Sequence, residues 1–224
     1  AHFRSCVSDP YAFMLLALTH DFGKITATEF VNGAIHAYGH ELQGVEIAER
    51  FLDRVCQGSD IKRYIGNMLP NHMRPNKIAE ARSAVKKTNR MFDDAIAPID
   101  LIYFAICDKP KLLHLDAHSL SMASNEPHES LDNVSRKSEF YTYEEKLKEQ
   151  ERVNFLFERL DLYRDMMSRP YVTGKDLIDS GITPDNDFGT ILNYAHKLRL
   201  AGVPKDNALK QTLSYARKLR KNIK

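Results

Sequence analysis

Residues 9–24 read DPYAFMLLALTHDFGK and indicate a helix that ends in two ionisable residues. Asp9 followed by Pro10 is typical of a helix start, because the carboxylate caps the first turn and proline fits the first helical position. The segment 11–18 is apolar on every side, which predicts a helix in the middle of a core. His20 and Asp21 follow, and burying both groups is costly unless something compensates them. A divalent cation would compensate both at once.

The rest of the sequence indicates helices nearly throughout. Apolar residues recur at three- and four-residue spacing, and no segment shows the alternation typical of a strand. The pattern therefore predicts an all-α fold. The predicted helices cover residues 39–55, 60–69, 95–107 (beginning near Pro98), 144–167, 174–180, 187–200 and 207–221. Polar residues dominate 119–138, which predicts a mobile loop.

The composition is that of an ordinary globular chain of 224 residues, of which 43% are hydrophobic. No run approaches the roughly 18 apolar residues that suggest a membrane span, so we expect no membrane association. Cys6, Cys56 and Cys107 are far apart and fit no zinc spacing, which suggests reduced thiols in a cytoplasmic protein. Net charge is only +2, but from Lys205 onward basic residues face a single acid, Asp206. Such a tail suits a polyanion such as RNA, although a solvated terminal helix explains the same charges.

Three further positions could join His20 and Asp21 at a metal. His40 follows His36 by four residues, but Gly39 disfavours one continuous helix, so we expect His40 to open the next helix. His72 lies at a predicted helix end. Asp108 terminates the apolar run 101–107 in the same way that His20 and Asp21 terminate theirs. Asp116 is a weaker rival to Asp108, because it also follows an apolar stretch.

This order of residues resembles the HD superfamily of metal-dependent phosphohydrolases. The matching features are His-Asp-Phe-Gly-Lys at 20–24, Gly-His-Glu at 39–41 with Gly44, a lone His and a late Asp. The resemblance implies that His20, Asp21 and Asp108 bind a divalent metal. It implies that His40 and His72 bind a second metal or the substrate phosphate, with Asp21 as proton acceptor and Lys24 near the phosphate. Mixed nitrogen and oxygen ligands suit Mg, Mn, Ni, Fe or Zn without distinguishing them.

One feature of the family pattern is not found. HD proteins carry another His about two dozen residues before the HD pair, whereas only nineteen residues precede His20 here. His2 is too close to fill that position. We therefore expect either that an upstream segment belongs to the protein or that the metal site is incomplete.

The tail resembles the C-terminal segment of bacterial tRNA nucleotidyltransferases, the CCA-adding enzymes and their poly(A) polymerase relatives. The matching turns and helix are Gly-Lys-Asp-Leu at 174–177, Gly-Ile-Thr-Pro at 181–184 and Gly-Thr-Ile-Leu at 189–192. The resemblance implies contact with tRNA, for which we single out Lys175, Arg217, Lys218 and Arg220. The Gly-Ser and paired carboxylates of the nucleotidyltransferase head do not occur in this sequence. We therefore expect the chain to be the C-terminal part of a longer protein.

Together these patterns predict an HD domain over 1–118, a loop over 119–138 and a helical tail over 139–224. The function implied is hydrolysis of a phosphomonoester or a 2′,3′-cyclic phosphodiester, on RNA ends or nucleotide phosphates. The alternative is a non-catalytic tRNA-binding module with a vestigial HD site. A helical domain with purely structural histidines is a third interpretation. The oligomeric state is left open.

Overall fold

The computed structural model describes residues 2–56, 58–108 and 143–221. These residues are mostly helical, with one small two-stranded sheet, so the predicted all-α class is confirmed. The predicted loop 119–138 and Asp116 lie outside the described residues. The helices are α1 Pro10–Thr19, α2 Lys24–Ala27, α3 His40–Val55, α4 Ser59–Met68, α5 Arg74–Glu80, α6 Val85–Asp94, α7 Pro98–Asp108, α8 Tyr143–Ser168, α9 Gly174–Asp179, α10 Phe188–Leu200 and α11 Lys205–Lys221. Short 3-10 helices cover His2–Ser5 and Leu69–Asn71, and strands β1 and β2 cover Glu29–Val31 and Ala34–His36.

The chain packs as two compact units. Of the described residues, the first unit comprises 2–56, 58–82, 93–108 and 143–157, and the second comprises 83–92 and 158–221. The boundary predicted between 118 and 139 lies entirely on residues outside the described ranges, and that division stays a prediction. Within the described ranges no helix is long and apolar enough to cross a membrane. The cytoplasmic location stays a prediction.

Helix α1 begins as the sequence predicts but is buried on one face only. The Asp9 side chain accepts hydrogen bonds from the backbone N–H groups of Tyr11 and Ala12, and Pro10 stands in the first turn. Leu15 and Leu16 are buried, and the helix packs against α4 and α7. Three apolar residues on the other side are exposed, which are Tyr11, Met14 and Leu18. The prediction of a helix surrounded by core is therefore wrong, because within the described part of the chain α4 and α7 pack against one side and leave these three residues exposed.

A β-hairpin lies between α2 and α3, where the sequence analysis expected no strand. Strands β1 and β2 are antiparallel, with Phe30 opposite Ile35. Asn32 and Gly33 join them with φ of 52° and 81°. Asn-Gly with two positive φ angles is the usual two-residue hairpin turn, because its twist matches that of the strands. This dipeptide was the signal for the hairpin, since strands of three residues are too short to show alternation.

Helix α3 begins at His40, as predicted. Gly39 precedes it with φ of 74°, a left-handed conformation that only glycine adopts readily. The chain can therefore leave β2, reverse direction and enter α3 with His40 pointing into the first unit, where its side chain is buried. The other predicted helices agree with α4, α7, α8, α9, α10 and α11 within a few residues. Helices α2, α5 and α6 were not predicted.

The second unit has its own apolar core in its tail portion. Leu177, Ile182, Ile191 and Ala216 are buried together there. Helix α9 starts with a capping box, in which the Thr173 side chain accepts from the Asp176 N–H and the Asp176 side chain accepts from the Thr173 N–H. The tail portion is thus stabilised by local hydrogen bonds at the start of α9 as well as by its apolar core.

Candidate metal centre

Three histidines of the first unit are held in the same way. The Nδ1 atom of His20 lies 2.9 Å from the Ala17 carbonyl oxygen, and that of His40 lies 2.8 Å from the Ala37 carbonyl. The His72 Nδ1 lies 2.6 Å from the carbonyl oxygen of Leu69. A carbonyl oxygen only accepts, so each Nδ1 carries the proton and donates it. The second nitrogen, Nε2, is then left with a lone pair in the neutral ring, which is the arrangement usual for metal-binding histidines.

The Nε2 atoms of His20 and His40 lie near carboxylates at two different helix ends. The His20 Nε2 lies 3.3 Å from Asp21 Oδ2 and 3.1 Å from Asp108 Oδ1. The His40 Nε2 lies 3.5 Å from Asp21 Oδ1. Asp21, His40 and His72 each offer a ligand atom within 4.8 Å of the other two. The end of α1, the start of α3, the turn before α5 and the end of α7 therefore converge on one small volume.

An apolar wall encloses the histidine side of this cluster. The His72 ring centroid lies 5.4 Å from that of His20 and 5.3 Å from that of His40. Phe104 packs edge-on against the rings of His20 and His72, at 5.2 Å and 5.9 Å. His72 is only 1% exposed. Water has little access on this side, so an unsatisfied polar atom here is costly.

Two of the converging nitrogens have no hydrogen-bond partner among the described residues. They are His40 Nε2 and His72 Nε2, and both are fully buried. The Asp21 carboxylate near His40 offers only acceptor atoms, so it cannot satisfy a nitrogen lone pair. Lone pairs and carboxylate oxygens that face each other repel unless a proton or a cation lies between them. The donor set fits a divalent cation with mixed nitrogen and oxygen ligands.

The electrostatics of the cluster also favour a positive charge at its centre. Burial lowers the pKa of His20, but the hydrogen bonds with Asp108 and Ala17 and the two nearby carboxylates outweigh it, so this pKa is raised. The hydrogen bond with His20 lowers the pKa of Asp108 despite partial burial. Burial lowers the pKa of His72 and favours its neutral ring. An ionised Asp108 and a neutral His72 are the forms that bind metals.

Lys24 stands at the solvent side of the cluster. Its Nζ lies 2.7 Å from Asp21 Oδ2, and its side chain is 50% exposed. The long flexible stem lets the ammonium group leave Asp21 without moving the backbone. The resemblance to HD proteins implies that Lys24 lies near a substrate phosphate, and that role stays a prediction.

A close contact between two glycines presses the His20–Asp21 turn against α3. A Cβ atom on Gly23 would lie 1.9 Å from the His40 carbonyl oxygen and 2.6 Å from the Gly44 nitrogen. The φ of Gly23 is −64°, which is ordinary for any residue, so backbone conformation does not require glycine here. Its lack of a side chain is needed for the close approach instead. Nearby, the Thr26 hydroxyl donates to Gln43 Oε1 at 2.8 Å, a link between α2 and α3 that the sequence analysis missed.

The four residues predicted to contact RNA belong to the second unit and differ in their surroundings. Lys175, Arg217 and Lys218 are exposed. Arg220 donates to the Thr183 carbonyl at 2.7 Å and to Asp185 Oδ2 at 2.5 Å, so its guanidinium fastens α11 to the preceding turn. Their role in RNA binding stays a prediction.

Comparison with known proteins adds no relative. No protein-family model matches the chain, and neither a curated protein nor a solved structure does so. The residues themselves therefore carry the functional argument.

Proposed function

We propose that the first unit is a divalent-metal-dependent phosphohydrolase. His20, Asp21 and Asp108 would hold the metal, and His40 and His72 would hold a second metal or the substrate phosphate. One observation carries the proposal, which is that three histidines fixed through Nδ1 turn their rings toward one cluster, where His20 Nε2 faces Asp21 and Asp108 and where His40 and His72 lie beside Asp21. A cluster of purely structural histidines has no need of this shared direction.

The chemistry of the ligand set agrees with this reaction class. Imidazole and carboxylate ligands suit Mn, Fe, Ni, Zn or Mg. A bound divalent ion supplies a water of lowered pKa and polarises a phosphoryl oxygen. The substrate would be a phosphomonoester or a 2′,3′-cyclic phosphodiester, such as an RNA end or a nucleotide phosphate.

The chain's own residues would orient the phosphate and move the proton. Asp21 faces the cluster with both oxygens, so it can accept the proton of an attacking water. Lys24 reaches from the solvent side and would bind a phosphoryl oxygen. His40 opens α3, whose N-terminal backbone N–H groups and dipole attract an anion. These positive features surround the place where a phosphate would approach.

The test combines metal content with hydrolysis. The protein is purified without chelator, its metals are measured by mass spectrometry, and hydrolysis of phosphomonoesters and cyclic phosphodiesters is followed with each added metal. We expect about one divalent ion per chain or more, and hydrolysis that His20→Ala and Asp21→Asn reduce by at least about 100-fold.

Two matched substitutions control for general damage. His196→Ala changes a histidine of α10 in the second unit, and Asp60→Asn changes an exposed aspartate of α4. Both should keep metal content and hydrolysis near those of the unaltered protein, and circular dichroism should show all variants folded. Absence of bound metal and of turnover under every metal condition would refute the proposal.

A second proposal concerns the second unit, for which we infer a polyanion-binding surface that would suit tRNA. Lys210, Arg217 and Lys218 are exposed at positions i, i+7 and i+8 of α11, so they share one face. Among the described residues none of them has an ion pair. Unpaired cations on one face favour binding to phosphates over a structural role.

Salt dependence tests this second proposal. Replacing both Arg217 and Lys218 by alanine should weaken tRNA binding and lower the slope of log affinity against log salt by about 2, one unit for each lost phosphate contact. Arg164→Ala is the control, because that exposed arginine of α8 lies beside Asp161. An unchanged slope would contradict the surface. Salt-sensitive binding without metal or turnover would favour the non-catalytic binding module.

A further inference from the structure

The turn between the hairpin and α3 carries an exposed pair of stacked rings. The rings of His36 and Tyr38 are parallel within 9°, with centroids 5.0 Å apart. Tyr38 is 76% exposed, so most of its surface is open to solvent. An aromatic ring held parallel to a second ring is more rigid than a lone exposed tyrosine, and it costs less entropy to use as a binding surface.

This pair lies next to the candidate metal centre. The Ala37 carbonyl, which receives the Nδ1 hydrogen bond of His40, belongs to the residue between the two rings. Two peptide links separate Tyr38 from His40, so their Cα atoms are at most about 7.6 Å apart. Gly39, with its φ of 74°, turns the chain between them. A group attached to a phosphate at the start of α3 would therefore be within reach of this turn.

We propose that Tyr38, with His36 behind it, forms a stacking surface for the base of a nucleotide whose phosphate occupies the metal centre. This inference rests on the proposed phosphohydrolase function and adds to it the part of the substrate that the metal centre does not reach. Purines and pyrimidines stack on tyrosine rings because both have flat π faces. Stacking of this kind selects for a base without selecting strongly among bases.

Two substrates with the same kind of leaving group distinguish binding of the base from binding of the phosphate. Adenosine 2′-monophosphate and glycerol 2-phosphate are both monoesters of a secondary alcohol, but only the first has a base. In the metal-loaded full chain, Tyr38→Ala should raise KM for adenosine 2′-monophosphate about tenfold, the effect of losing one base–aromatic stack. Its kcat and KM for glycerol 2-phosphate should stay unchanged, and Tyr38→Phe should restore the low KM.

A second aromatic and a binding assay complete the design. Phe30→Ala removes an exposed ring from β1 of the same hairpin and should leave both substrates unaffected. Calorimetric titration of adenosine 2′-monophosphate with Mn²⁺ present reports the same contact without turnover, and Tyr38→Ala should weaken that affinity about tenfold.

The outcomes separate the two proposals. If glycerol 2-phosphate is hydrolysed and Tyr38→Ala changes neither KM nor nucleotide affinity, the stacking surface is wrong and the phosphohydrolase stands. An equal loss on both substrates would also overturn it, because that result reports damage to the metal centre. If neither ester is hydrolysed, the phosphohydrolase fails, and the calorimetric comparison of Tyr38→Ala with Tyr38→Phe alone decides whether the base binds there.

Discussion

The two units use their polar side chains in different ways. In the second unit, Arg199 donates to three backbone carbonyls where α8 ends, and Arg220 donates to a carbonyl and to Asp185. These bonds close helix ends and turns. In the first unit, three histidines use one nitrogen in this structural way. The other nitrogen of His20 faces Asp21 and Asp108, and His40 and His72 lie in one cluster with Asp21. A histidine with one nitrogen bonded to the backbone and the other available as a ligand indicates a binding site more clearly than an arginine whose hydrogen bonds close helix ends and turns.

Unsatisfied buried atoms by themselves do not distinguish the units. Among the described residues the second unit also has four such atoms, on Asn89, Arg199, Thr212 and Arg220. Two of these belong to cations, one to an amide and one to a hydroxyl, so they form no set of metal ligands. In the first unit the two unsatisfied nitrogens, on His40 and His72, lie in one cluster with a carboxylate. Convergence of matching ligand types is thus more informative than their number.

The largest difference between the units should appear when each loses one aspartate. Asp21→Asn removes an oxygen charge that faces two histidines, so affinity for Mn²⁺ should fall by at least about 100-fold. Asp185→Asn removes only the ion pair with Arg220 in the second unit and should leave that affinity unchanged. Isothermal titration calorimetry measures both. Equal Mn²⁺ affinities in the two variants would contradict the proposal that the metal site lies in the first unit.

Alanine in place of glycine should have opposite effects in the two units. Gly23→Ala forces a methyl group against the His40 carbonyl, and we expect the free energy of unfolding to fall by about 3 kcal/mol. Gly189→Ala places a methyl group in open space on α10, so helix propensity should stabilise the protein by up to about 1 kcal/mol. Urea unfolding measures both. A neutral Gly23→Ala would show that the turn does not press against α3.

Removing a tyrosine hydroxyl should cost more in the first unit. There the Tyr64 hydroxyl donates to the fully buried Asp100 carboxylate at 2.8 Å, and burial followed by this hydrogen bond raises the Tyr64 pKa. Tyr64→Phe should lower the free energy of unfolding by about 2 kcal/mol, since the acceptor is charged. Tyr171→Phe in the second unit loses a bond to the neutral Val203 carbonyl and should cost about 1 kcal/mol. Equal losses in denaturant unfolding would contradict the difference in acceptor charge.

The smallest effect concerns pH and the capping box of α9. Hydrogen bonds from Thr173 lower the pKa of Asp176 to about 2, from an ordinary value of 3.8. A lowered pKa in the folded state stabilises the protein above the ordinary value, and the contribution is lost as pH falls towards about 2. The urea midpoint of the unaltered protein should therefore exceed that of Asp176→Asn at pH 6 and approach it at pH 2.5. A constant gap between the two midpoints would contradict the lowered pKa.

The sequence could indicate the members of the cluster but not their contacts. His20, Asp21 and Asp108 stand at ends of apolar helices, where a charge calls for a partner, and His40 follows a glycine that interrupts a helix. Spacing along one chain does not show which ring nitrogen is fastened to a carbonyl, because that depends on the turn geometry at each histidine. The close approach of Gly23 to Gly44 is likewise a tertiary contact.

For the fold as well, elements with strong local sequence signals could be predicted, whereas features that depend on packing could not. The amphipathic α3 and the capped α1 could be placed within a residue or two, because each has a clear start and a clear stop. Helix α6 was not predicted from the sequence. Its buried face contains the polar residues Thr88 and Asn89 beside Met91 and Phe92, so the pattern of apolar residues is hard to recognise. The exposed side of α1 could not be foreseen, since an all-apolar pattern does not tell which face has a neighbour.

The most direct measurement is a crystal structure grown with Mn²⁺, with anomalous diffraction data to locate the ion. The account predicts an anomalous peak between α1, α3 and α7, at coordinating distance from His20 Nε2 and from carboxylate oxygens of Asp21 and Asp108. The Nδ1 atom of His20 should still donate to the Ala17 carbonyl. Fully occupied Mn²⁺ elsewhere on the chain, with this cluster empty and its side chains in the same positions, would contradict the account.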